Sequence, residues 1–161
     1  MKRRDVRLAA LAITVLAVAL GGASLFVDFN RAAPGKANAE FHARFQQAAI
    51  MLHAKQYDHA VTALHRLLQI APEVPEVHVN MGYAMLGLER YKEARDFFEG
   101  ATALRRDQVN AYYGLALALE ALGDKRAALG AMRTYVHRSP PDDPHVRKAM
   151  SAIWEWESSL K

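Results

Sequence analysis

Ala60, Ala94 and Ala128 stand 34 residues apart along the chain. The same step connects Ala48, Gly82 and Ala116, all small, and Leu64, Phe98 and Met132, all large and apolar. A fixed period of this length, with small and large residues in phase, is an internal repeat and decides the fold before any other feature.

Three units of 34 residues follow from it: 41–74, 75–108 and 109–142. The first carries Ala48, Tyr57, Ala60, Leu64 and Pro72. The second carries Met81-Gly82, Tyr91, Ala94, Phe98 and Ala101, and the third Tyr112, Leu115-Ala116, Gly123-Asp124, Ala128, Met132 and Pro140. In register, these residues resemble the tetratricopeptide repeat family, a helix-turn-helix unit with aromatic, Leu-Gly, Tyr, Ala, Phe and Pro positions. The resemblance implies an all-α solenoid of three helical hairpins that binds other proteins and does not catalyse. Three positions depart from the pattern: Arg106 replaces a closing proline, Gln47 the leucine of the first unit, and Tyr135 the small residue that the second unit has at Ala101.

The physical chemistry of the repeat agrees. Small residues at Ala48, Gly82 and Ala116, and at Ala60, Ala94 and Ala128, let paired helices approach, while Leu64, Phe98 and Met132 fill the space between units. Breakers fall at the expected turns, at Pro72 and Pro75, Gly123-Asp124, and Pro140-Pro141. No unit can bury its apolar face alone, so stability comes from stacking. Residues 143–161 are expected to form a capping helix, with Val146, Ala149, Met150, Ile153 and Trp154 on its inward stripe. Trp156 lies off this stripe, with partial burial against the last repeat expected and docking as the alternative.

The N-terminus carries a second signal. Lys2, Arg3, Arg4 and Arg7 precede an uncharged run of 20 residues, Leu8–Val27. About 20 apolar residues cross a bilayer as a helix, and the basic cluster puts the N-terminus in the cytoplasm. The expectation is one transmembrane anchor over 1–27, a linker over 28–40, and a repeat domain in the periplasm of a bacterial inner membrane. A cleavable signal peptide ending near Gly21-Gly22-Ala23 is the competing reading, with the same export.

Composition removes other classes. Residues 1–27 hold four basic groups against one acidic, or +3 of the net +4, so the repeat domain is nearly neutral and lacks the basic stripe of a nucleic-acid binder. With no cysteine, disulfides, thiolate metal sites, thiol catalysis and covalent haem attachment are excluded. His42 and His53 share a helix face but lie roughly 16 Å apart, too far to hold one ion. His59 and His65 face differently, and Glu155 and Glu157 diverge, which argues against paired carboxylates. No metal, cofactor or catalytic residue is therefore assigned.

The family resemblance further implies that the first helix of each unit lines a concave groove. On this chain that gives Phe45, Ala49 and Leu52, then Val79, Tyr83 and Leu86, then Asn110, Tyr113 and Leu117, with His42, Glu76 and Glu120 at the margins. About half are expected to be core. Members that clamp a C-terminal carboxylate need Lys, Arg and Asn at positions where this chain has Phe45, Ala49, Asn80, Asn110 and Gly114, and only Asn80 fits. The groove is thus expected to prefer an apolar peptide or helix. Its partner would be a client or subunit of an envelope complex, as in cytochrome c maturation, pilus or secretion machinery. The alternative is a permanent accessory subunit of a respiratory or photosynthetic membrane complex.

Overall fold

The computed structural model describes residues 34–140 and 142–160, and these form seven α-helices with no strand. They are α1 (Pro34–His53), α2 (Tyr57–Ile70), α3 (Pro75–Gly87), α4 (Tyr91–Leu104), α5 (Val109–Ala121), α6 (Lys125–Arg138) and α7 (Val146–Ser159). Helices α2, α4 and α6 start at positions 57, 91 and 125, and α1, α3 and α5 end at 53, 87 and 121. The 34-residue sequence period is therefore also the period of the helix boundaries.

The periodic residues explain this regularity. Ala60, Ala94 and Ala128 are wholly buried, as are Ala48 and Ala116, and Gly82 occupies the matching place on α3. Leu64, Phe98 and Met132 are buried at their interfaces. Each alanine adds little area, but large apolar groups excluded from water contribute roughly 1.5–3 kcal/mol apiece. The first two units share one apolar cluster built on Leu64, Met81 and Phe98. A second, built on Met132, Tyr135 and Trp156, joins the third unit to α7.

The turn within each unit ends its first helix in a recurrent way. Lys55, Glu89 and Gly123 adopt positive φ angles of 57°, 60° and 84°. Only the third has the residue that takes this conformation without steric cost. Asp124 then caps α6 by accepting a hydrogen bond from the Ala127 amide at 3.0 Å. The turns between units also repeat: His78 Nε2 lies 2.7 Å from the Pro72 carbonyl oxygen, and the Tyr112 hydroxyl donates to the Arg106 carbonyl at 3.1 Å. Arg106, where a proline was expected, thus offers the same acceptor. Arg138 also donates to it at 2.8 Å, its guanidinium lying 5.6 Å from the centre of the Tyr112 ring.

Residues 34–40, within the expected linker, are helical and form the opening turns of α1, with Pro34 at the helix start, where a missing amide hydrogen is tolerated. One expectation is corrected. On α7 the inward stripe is Ala149, Ile153 and Trp156, with Val146 and Ala152 beside it. Met150 and Trp154 face outward, 58% and 74% exposed. Rotation of α7 by part of a turn relative to the expected stripe exchanges one tryptophan for the other. The apolar run Leu8–Val27 lies outside the described residues, and among those described no helix is long and apolar enough to cross a membrane.

Candidate protein-binding groove

The first helices of the three units contribute to one cavity of about 520 Å³. From α1 come Ala49, Leu52 and His53, from α3 Asn80 and Tyr83, and from α5 Asn110 and Tyr113. Tyr57 at the start of α2, Tyr135 of α6 and His145 just before α7 complete the lining. Gly87 sits against the Tyr57 ring so closely that a Cβ there would lie 2.3 Å from it.

Tyr83 anchors the cavity floor. Its hydroxyl donates to the Asn110 carbonyl at 3.0 Å, joining the second unit to the third, and its ring meets Phe98 edge-on at 5.1 Å. Burial, with the neighbouring Tyr113 and Tyr135 adding to it, raises its pKa far above the usual tyrosine value. The hydroxyl thus finds its partner within the protein. Tyr113 stands edge-on to Tyr135 at 5.0 Å and tilted to His145 at 6.1 Å. Tyr135, almost fully buried, is also raised, first by burial and next by its hydrogen bond to Asp143. Asp143 in turn accepts the His145 amide at 2.8 Å, which fixes the turn that brings His145 to the rim.

Of the residues expected in the groove, Ala49, Leu52, Tyr83, Asn110 and Tyr113 line this cavity. Val79 does not, being 5% exposed within the core, and Phe45, Leu86 and Leu117 pack partly against core residues. Phe45 instead stacks on Phe41 one turn away. His53, Asn80, Tyr57, Tyr135 and His145 were not assigned to the groove from sequence. Tyr135 had a signal, as the bulky exception to a small repeat position, whereas His145 reaches the rim only through the Asp143 turn.

The lining contains no lysine, arginine or carboxylate side chain. Its polar groups are two amides, phenols and imidazoles, which can donate to and accept from a peptide backbone. Among the described residues no three His, Cys, Asp or Glu side chains cluster as metal ligands.

Comparison with known proteins follows the same lines. A family model described as tetratricopeptide repeat matches residues 51–108 and 85–153. No curated protein matches the chain. The first repeat domain of Spaghetti (RPAP3), bound to the HSP90 peptide SRMEEVD, superposes with a TM-score of 0.68 at 18% identity, over 74% of this chain and 92% of that one. The Yersinia enterocolitica type III secretion chaperone SycD, in complex with a peptide of the translocator YopD, gives 0.71 at 10% identity, over 76% and 96%. The Sgt2 repeat domain from Aspergillus fumigatus gives 0.69 at 18%, over 75% and 79%.

Proposed function

The chain belongs to the tetratricopeptide repeat family, and on that footing we propose that it is a non-catalytic adaptor whose groove holds a segment of another protein. One observation carries this reading: a 520 Å³ cavity crosses all three units and is lined by aromatic rings and uncharged amides. Such a surface suits a short extended segment with an aromatic or aliphatic anchor, its backbone met by Asn80 and Asn110. Two of the similar folds hold peptides of partner proteins, which supports a peptide-binding role.

The adaptor acts at a membrane. Leu8–Val27 supports a single N-terminal anchor, and the basic residues before it support a repeat domain on the far side from the cytoplasm, the bacterial periplasm. A tethered domain that holds uncharged segments fits the assembly of an envelope complex, of the kind found in cytochrome c maturation, pilus or secretion machinery.

A photo-crosslinking amino acid at Asn110, exposed at the groove, tests this in native membranes, with Arg66 on α2 as the control position. The expected result is adducts at 110 that mass spectrometry maps to short segments of a few immature envelope proteins. One adduct at one-to-one stoichiometry would replace the assembly role with permanent membership of a complex. Equal yields from both positions would sink the groove as a binding site.

A further inference from the structure

A terminal helix that closes a repeat array ordinarily turns a polar face to water. Helix α7 does not. Met150 and Trp154 project outward, and with Arg147, Ser151 and Glu155 they border a shallow depression of about 650 Å³. All five lie on one face, since residues three, four, seven and eight apart share a side of a helix. Trp154 is the most exposed of the large apolar side chains among the described residues.

The order of charges along this face is self-complementary. Arg147 and Lys148 lie one turn before Ser151, and Trp154 and Glu155 lie one turn after it. We propose that α7 pairs antiparallel with α7 of a second copy of this chain, about a twofold axis at Ser151. That arrangement brings the cationic turn of each copy level with Trp154 and Glu155 of the other. Each guanidinium at 147 can then lie over the opposing indole, and each cation at 147 or 148 faces the opposing carboxylate. Ser151, small and exposed, sits where the two helices come closest, and Met150 fills the edge of the contact. A parallel pairing would set like charges against one another.

The contact is small. It covers one helix face per copy, which puts it in the class of weak, transient interfaces below about 1,200 Å². Tethering of both copies in one membrane would raise their effective concentration and favour the pair.

The chain has no cysteine, so one introduced thiol reports the contact directly. The full chain, held in a mild detergent, would carry Ser151→Cys, or Gln69→Cys on α2 as the collision control. Under mild oxidation the Ser151→Cys chain is expected to form disulfide-linked dimers at least tenfold faster than the control. Adding Trp154→Ala, or Glu155→Lys, should remove most of that advantage while the circular dichroism spectrum stays unchanged. Equal cross-linking rates at 151 and 69 would overturn the proposal. So would an advantage that survives Trp154→Ala, because a contact of some other geometry would then be responsible.

Discussion

The ring of Phe98 lies so close to the backbone of Gly114 that a methyl group on that glycine would stand 2.2 Å from the ring. Gly82, on the other side, leaves room of the same kind, with 2.7 Å to the ring. One aromatic side chain of α4 is thus seated between glycines of its own unit and of the next. In a solvent-exposed helix, glycine to alanine gains about 1 kcal/mol. Here the sign reverses. Gly114→Ala is expected to destabilise by about 1–3 kcal/mol through overpacking, read as a lowered urea midpoint. Combining it with Phe98→Leu should cost less than the sum of the two single changes, since the sites share one contact.

The three turn residues with positive φ make an internal comparison. A left-handed conformation costs a residue with a side chain roughly 1 kcal/mol relative to glycine. Lys55→Gly and Glu89→Gly are each expected to raise stability by several tenths to about 1 kcal/mol. Gly123→Ala should lower it by a similar amount, with no clash to confuse the reading, because nothing lies within 4 Å of the added carbon. Thermal midpoints of the three variants check the opposite signs.

Tyr83 ties stability to alkaline pH. Its folded pKa is raised above the unfolded value of about 10, so its contribution is complete below pH 10 and is lost as pH rises beyond that. At neutral pH, Tyr83→Phe forfeits the bond to the Asn110 carbonyl and costs about 1 kcal/mol. Above pH 10 the unfolded wild type ionises at this position and the variant cannot. The stability gap should therefore shrink by about 1.4 kcal/mol per pH unit. A gap that stays constant to pH 11 would mean that the hydroxyl is open to solvent.

The groove's lack of cations leads to a negative expectation. The HSP90 peptide SRMEEVD, held by the Spaghetti repeat domain, ends in acidic groups. Strong recognition of such a tail depends on charge-assisted hydrogen bonds, and no lysine or arginine lines this cavity. Calorimetry is expected to show no saturable binding of that peptide. Tight binding would mean that cations outside the lining reach into the groove.

Much of this architecture was legible in the chain because the repeat is local. A small residue at 60, 94 and 128 and a large one at 64, 98 and 132 dictate helix pairing within a few turns, and the helix boundaries keep the same step. The capping helix was harder. Ile153, Trp154 and Trp156 are all apolar, and spacing alone permits either tryptophan to face inward. The choice depends on where α6 lies, since its Arg133 binds Glu157 at 2.7 Å and helps to fix the rotation of α7. The groove was legible in part on the first helices, where Ala49, Leu52, Tyr83, Asn110 and Tyr113 line it, and not beyond them. Tyr57, Tyr135 and His145 reach it from second helices and a turn, through contacts distant in sequence that no periodicity records.

The ring at position 135 occupies the place of Ala101 in the unit before, and it has an evolutionary consequence. Arrays of this kind lengthen when a gene segment is copied in tandem. A copied second unit would present an alanine to its new neighbour and could be accommodated. A copied third unit would carry its phenol with it, and the helix packed on it would have to make the room that α7 makes here. The second and third units are therefore not interchangeable at this position.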